Sequence, residues 1–206
     1  MQRPNRIPLF PLDVVLLPAM PLPLHIFEPR YKVMVARCLT ESLEFGMLLA
    51  ANNSMVSVGC TAGITQKTRD YPDGRMDILT RGRAVFRLAE LLDEKEYYEG
   101  AVEYLADDPP LVDPEKEKQL VSVFEQCHLM LFGRAWMDMP GEAATLAYRM
   151  AALLPMDLAK RQAMLEIRSE SARRDAVLEW LNGFLPRLAT RQQALKRAGG
   201  NGHTLN

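Results

Sequence analysis

The pattern of apolar and polar residues divides the chain into two parts with different periods. Residues 56–65 alternate strictly: Val56, Cys60 and Ile64 belong to an apolar face, and small or polar residues form the opposite face. This alternation predicts a half-buried strand whose small-residue face leaves room for another backbone or a partner. Residues 76–79, 83–88 and 97–104 predict further strands. Beyond residue 107 the apolar period becomes helical, which predicts an all-helical second part.

A proline-rich apolar segment opens the β-rich part. Six prolines fall within residues 7–31, and almost all residues between them are apolar. Each proline fixes φ and removes a backbone donor, which excludes a continuous helix. We therefore expect short buried strands joined by stiff corners, followed by a helix that begins near Pro29. Its buried stripe is predicted to consist of Tyr31, Met34, Val35, Cys38 and Leu39.

Turn residues separate the predicted strands. Tyr71-Pro72-Asp73-Gly74 has the chemistry of a tight turn, and Gly82 interrupts the following strand, where a bulge or bend is expected. Short strands separated by turns, together with a single early helix, predict a compact antiparallel barrel.

The boundary between the parts is predicted at residues 107–110, Asp-Asp-Pro-Pro. This gives a β domain over residues 1–106, a helical domain over residues 107–198 and a disordered tail over residues 199–206. Asp113-Pro114-Glu115 is a helix start signal. The last helix is expected to begin near Ser169 and to kink or end at Pro186.

Composition limits the function classes. The chain has 206 residues, of which 48% are hydrophobic and 25% are charged, and its net charge is −1. This composition is typical of a soluble globular protein. The small net charge indicates no strong electrostatic preference for nucleic acid or acidic lipid. Apolar runs are too short to span a membrane and no export signal is visible, so we expect a cytoplasmic protein. The three widely spaced cysteines are predicted to be buried, and neither a metal site nor a cofactor is expected.

Several motifs occur in the order found in one known family. They are L-F-P-L at residues 9–12, H-I-F-E-P-R-Y at 25–31, V-G-C-T-A at 58–62, D-G-R at 73–75, T-R-G-R-A-V-F-R at 80–87 and R-Q-A-M-L-E at 161–166. Over roughly residues 5–190 the chain resembles the Lon protease N-terminal (substrate-binding) domain family. The resemblance implies an α+β fold, in which a PUA-like antiparallel β pseudo-barrel is followed by a helical bundle.

The resemblance also implies a function. Lon proteases join this domain to an ATPase module and a peptidase module, but the chain contains no G-x-x-x-x-G-K-[ST] phosphate loop. We therefore expect a stand-alone, non-catalytic module that binds exposed apolar segments of unfolded or client polypeptides. A protease or chaperone is a further candidate partner, and neither nucleic acid nor membrane is expected to bind.

A cleft between the two parts is the predicted binding site, because junctions of this kind commonly hold ligands. The predicted contacts from the β part are His25, Phe27, Arg30 and Tyr31, and those from the helical part are Trp136, Met137 and Met139. The small-residue face of residues 57–65 is the alternative location.

Two other functions stay open at this point. His25, with Glu28 and Arg30 nearby, could act in proton transfer in a small hydrolase, or the three residues could simply fix the start of the first helix. An RNA-binding module is the main alternative, because arginines are frequent in residues 69–87. Acidic residues alternate with those arginines, which favours a mixed solvated face.

Overall fold

The computed structural model describes residues 3–51, 54–109, 111, 113–138 and 145–200, with side chains up to Leu195. Within these residues the β-strands are β1 Arg6–Leu12, β2 Pro21–Ile26, β3 Phe45–Ala51, β4 Ser54–Met55, β5 Val58–Asp70, β6 Met76–Leu92 and β7 Glu99–Tyr104. The helices are α1 Pro29–Glu41, α2 Pro114–Phe132, α3 Leu146–Ala151, α4 Leu158–Glu166 and α5 Glu170–Gly200. A mainly β part thus precedes a helical part, and the predicted α+β class is confirmed.

The strands close into a barrel. Neighbours follow the order β1-β7-β6-β5-β3, and β1 also pairs with β3, which joins the two ends of the sheet. The β1–β3 pair is parallel, whereas the other pairs are antiparallel. β2 adds to β6 beside this closed path. The predicted turn holds, since Gly74 N–H donates to the carbonyl of Tyr71 at 2.9 Å. The bulge predicted at Gly82 is present as a register shift between Cys60 and Ala62 on the partner strand.

The interior of the barrel changes the interpretation of β5. A small apolar cluster fills the interior, made of Ile7, Leu9, Leu48, Phe86 and Val102. A side chain on Gly59 would overlap the Met47 backbone carbonyl and would meet the Leu48 and Phe86 side chains. Thr61 on the same face is buried. At Gly59 the small-residue face of residues 57–65 therefore leaves room for a neighbouring backbone. This was one of the two uses expected for this face, the other being contact with a partner. Gly59 and Thr61 are buried on this face, whereas Ser57 and Thr65 are exposed, so its use as an alternative binding surface stays a prediction.

Helix α1 and the C-terminal helices pack against the outside of the barrel. One apolar cluster includes Phe10, Met34 and Phe45 from the first part, and Phe124, Met164 and Leu181 from the second. The predicted stripe of α1 is buried at Tyr31, Met34, Val35 and Cys38. Leu39 is the exception, with 38% of its surface exposed, because the stripe turns away from the barrel at that position.

A buried arginine connects the two parts. Arg173 is fully buried in α5 and donates to the carboxylates of Asp107, in the segment that joins β7 to α2, and of Glu170. Its guanidinium lies 4.3 Å from the centre of the Tyr148 ring in α3. Burial of a charge is costly unless it is paired and hydrogen-bonded, as it is here.

Helix α5 does not end at Pro186. It runs for 31 residues to Gly200, two residues beyond the predicted limit of the helical part. Contacts with α2 hold it on both sides of the proline: Arg174 pairs with Glu117 at 2.7 Å, and Gln192 donates to the Met130 carbonyl at 2.8 Å. These contacts offset the backbone hydrogen bond that proline removes. Residues 201–206 of the predicted tail lie outside the described residues. None of the helices in the described ranges combines the length and apolar character needed to cross a membrane.

Candidate functional site

His25 is held by a carboxylate from the neighbouring strand. β2 and β6 place His25 opposite Asp77, and the His25 Nδ1 atom lies 2.5 Å from Asp77 Oδ1. The Tyr71 hydroxyl donates to the other oxygen of Asp77 at 2.9 Å. These two hydrogen bonds hold the pKa of Asp77 below its ordinary value. The interpretation of His25, Glu28 and Arg30 as one cluster is corrected, because the partner of His25 comes from a distant segment of the chain.

The other residues predicted around His25 have different environments. Phe27 is 58% exposed and stacks on the His25 ring at a centroid distance of 6.0 Å. Glu28 and Arg30 form a surface ion pair at 2.8 Å. Tyr31 is only 5% exposed, and its ring lies 4.0 Å from that of Phe10. Tyr31 therefore belongs to the core, whereas Phe27 is available to a ligand.

A thiol nucleophile is not available for a hydrolase. Cys38, Cys60 and Cys127 are free and buried. Burial raises the pKa of Cys38 to about 12 and also raises that of Cys60 and Cys127, so all three stay protonated near neutral pH. Within the described ranges, no three His, Cys, Asp or Glu side chains come together in an arrangement that could hold a metal ion.

Trp136 and Met137 line a groove between the two parts of the chain, which we call the seam groove. It has a volume of about 450 Å³ and is lined on the β side by Ala19, Pro21 and Arg81. The helical side adds His128, Arg134 and Arg149, with Leu153 and Asp138. The Trp136 ring packs edge-on against Phe124 at 4.9 Å, and Met137 is 84% exposed. Met139 lies outside the described residues.

The predicted site residues thus form two groups. Pro21, at the start of β2, borders the seam groove, whereas His25 is four residues further along the same strand, about 13 Å away at 3.3 Å per residue. The predicted cleft has Trp136 and Met137 on one side, but its other side is formed by the corner before β2 rather than by His25 and Phe27.

A second groove was not predicted from the sequence. This α4–α5 groove, about 390 Å³ in volume, lies between α4 and α5. Its apolar lining consists of Met156, Ala163, Met164, Ile167, Ala176, Trp180 and Phe184, and its remaining lining residues are Lys160, Glu179, Gly183 and Arg187. The Trp180 and Phe184 rings stack at 4.4 Å. The signal in the sequence was the apolar spacing of three and four residues along both helices.

The arginine-rich tip of the β5–β6 hairpin has mixed charge. Arg75 pairs with Asp73 at 2.6 Å, and Lys67 pairs with Asp70 at 2.8 Å. These carboxylates lower the positive potential that a phosphate backbone would need. The arrangement agrees with the mixed solvated face expected from the sequence.

Comparison with known proteins gives consistent results. A family model described as the ATP-dependent protease La (LON) substrate-binding domain matches residues 6–183. The Lon protease of Escherichia coli K12 is 28% identical over 214 aligned positions that take in 93% of this chain, and that of Erwinia amylovora is 27% identical over 213. This chain spans about a quarter (26%) of the length of these relatives.

Solved structures agree in fold. The Lon N-terminal domain protein from Xanthomonas campestris matches with a TM-score of 0.68 and 27% identity, over 85% of this chain and 98% of that one. The N-terminal domain of the Mycobacterium avium complex Lon protease matches with a TM-score of 0.60 over 86% of this chain and 98% of that one, and at 16% identity it shows the shared fold alone. The family model covers most of the sequence, and the chain belongs to the Lon protease substrate-binding domain family.

Proposed function

We propose that this chain binds exposed apolar segments of client polypeptides in the seam groove, without catalysing a reaction on them. The observation that carries the proposal is the position of Met137, an 84% exposed apolar side chain at the edge of this groove. Flexible thioethers adapt to different apolar side chains and are frequent on surfaces that bind varied partners. The description of the family as substrate-binding also supports this function.

The local structure suits an extended client. Residues 135–138 form neither helix nor strand, so their backbone groups are not committed to a regular ladder and can pair with a second backbone. Arg134 lines the groove beside its apolar residues, and so does the ion pair between Arg149 and Asp138, which has a distance of 2.8 Å. A concave apolar site with a few polar groups is the usual form of a binding pocket. The cytoplasmic location expected from the sequence remains a prediction.

Binding can be tested with a fluorescein-labelled, reduced and carboxymethylated protein that cannot fold, using fluorescence anisotropy. We expect saturable binding with a Kd of tens of micromolar, weakened about fivefold by Met137→Ser, which removes about 1 kcal/mol of apolar contact. Leu111→Ser is the matched control, because Leu111 is 79% exposed and does not line the seam groove. Equal loss in both variants, or no loss in either, would refute this location.

A further inference from the structure

Gly183 lies near the middle of α5, and no contact among the described residues explains a glycine there. Glycine is among the least favourable residues inside a helix. A Cβ atom on Gly183 would meet no atom within 4 Å outside its own helix backbone, and the positive-φ glycines of the described residues are Gly74 and Gly133. A proline ring inside a helix crowds the carbonyl four residues earlier, which for Pro186 is that of Asn182, so the proline does not account for glycine at position 183.

Gly183 lines the α4–α5 groove. The residues of α5 that border the groove share one face, at spacings of three and four: Ala176, Glu179, Trp180, Gly183, Phe184 and Arg187. Residues of α4 and its C-terminal end do the same on the opposite wall: Lys160, Ala163, Met164 and Ile167. Because Gly183 has no side chain, it leaves open space between the stacked Trp180 and Phe184 rings and the charged rim. The two walls of this groove are helices.

The groove suits a helix better than an extended segment. Backbone groups within α4 and α5 are hydrogen-bonded inside their own helices, so the walls offer little to pair with an extended backbone. A helix satisfies its own backbone and presents an apolar stripe. From Ala176 to Arg187 the groove is about 16 Å long at 1.5 Å per residue, which matches about three helical turns.

The rim charges indicate the chemistry of the partner. Lys160 and Arg187 are exposed and line the groove, and neither makes an ion pair with another described residue. Glu179 is the one acidic residue in the lining. A partner helix with acidic residues beside its apolar stripe would pair with the two cations, which improves specificity and association rate.

We propose that the α4–α5 groove binds an amphipathic helix of a partner protein, with acidic residues flanking its apolar stripe, and that Gly183 allows this helix to approach α5 closely. Small residues at helix contacts permit close approach of two backbones and interlocking of side chains. This docking site is separate from the seam groove and does not rest on client binding there.

The test uses a labelled synthetic peptide of about four helical turns, with leucines at positions i, i+4, i+7 and i+11 and glutamates beside them. Fluorescence anisotropy reports its binding to the full chain. Gly183→Met should weaken binding about tenfold or more, because its side chain occupies the groove, and Gly183→Ala should weaken it less. Both variants should melt a few degrees higher than the parent, since each replaces a mid-helix glycine.

Asn182→Met is the matched control, because Asn182 is exposed on the same helix and does not line the groove. It should bind the peptide as the parent does. The double substitution Lys160→Gln and Arg187→Gln should weaken binding of the acidic peptide. It should not change binding of a peptide in which glutamine replaces glutamate.

Three results would overturn the proposal. The first is equal binding of a peptide with two central prolines, which indicates an extended ligand. The second is parent-like affinity of Gly183→Met. The third is a dimer of the chain by light scattering that Gly183→Met dissociates, which assigns the groove to a second copy.

Discussion

Glu99 provides a sharp test of how charge stabilises this fold. Its carboxylate is only 3% exposed and lies where β7, β1 and α1 meet. It accepts hydrogen bonds from Arg37 at 2.6 Å and from Lys95 and Arg6 at 2.8 Å each. Burial alone would raise the pKa of Glu99, but the bonds from Lys95, Arg37 and Arg6 outweigh it and lower the pKa from 4.5 to about 2.

This pKa shift gives the magnitude of the effect. Each tenfold change in proton affinity corresponds to about 1.4 kcal/mol, so a fall from 4.5 to about 2 stabilises the charged, folded form by about 3 kcal/mol. The folded state releases the proton of Glu99 more readily than the unfolded state does. The stabilisation is therefore complete above pH 4.5 and is lost as the pH falls towards 2.

Glu99→Gln keeps the shape of the side chain and removes its charge. We expect its free energy of unfolding at pH 7 to be about 3 kcal/mol below that of the parent. The difference between the two proteins should shrink as the pH falls below 4.5. Urea titrations at several pH values measure both quantities.

Glu96→Gln is the control, because Glu96 is exposed and three residues away in the sequence. It should change the free energy of unfolding by less than about 0.5 kcal/mol. Equal effects of the two substitutions, or a difference between parent and Glu99→Gln that stays constant from pH 7 to pH 3, would refute the assignment of this stabilisation to Glu99.

Three further predictions concern stability, and chemical denaturation measures each. Arg173→Met should cost about 3–5 kcal/mol, because it removes the buried cation that pairs with both Asp107 and Glu170 at the junction of the two parts; a loss below 1 kcal/mol would contradict this role. Arg30→Ala should cost less than about 1 kcal/mol, because its pair with Glu28 is exposed; a larger loss would restore the expectation that this pair anchors the first helix. Gly59→Ala should cost about 3 kcal/mol or more, because the added methyl group overlaps the Met47 carbonyl; a folded variant of parental stability would contradict the close approach.

The helix cap, the turn and the bulge were predicted correctly, because a few neighbouring residues determine the backbone geometry at each of them. Asp113 caps α2 by accepting from the backbone N–H of Lys116 at 3.2 Å, as its start signal indicates. The turn at Gly74 and the bulge near Gly82 depend on backbone geometry, which a few residues specify. Pro186 shows the limit of such rules, because α5 continues past it on the strength of contacts with α2.

Contacts between distant segments could not be predicted in the same way. The period of β5 shows two faces, but it does not show that the backbone of Met47 comes so close to Gly59 that a side chain there would overlap it. Asp77 lies 52 residues from His25, and the two meet only because β2 pairs with β6. Trp136 and Met137 were predicted at a groove between the parts, but its opposite wall depends on the path of the corner before β2. The role of Gly183 could not be predicted from the sequence, because only the structure shows that a Cβ atom there would meet no neighbouring atom within 4 Å.

Methionine methyl NMR tests the central claim, binding of clients at the seam groove, most directly. The chain has 12 methionines; Met137 lines the seam groove, and Met156 and Met164 line the α4–α5 groove. The methionine methyl groups of the chain are labelled with ¹³C, and their resonances are assigned by single substitutions. The unfolded carboxymethylated protein is then titrated into the labelled chain. We predict that the Met137 resonance shifts and saturates while those of Met156 and Met164 stay in place. A Met137 resonance that does not move, or shifts confined to Met156 and Met164, would contradict the account.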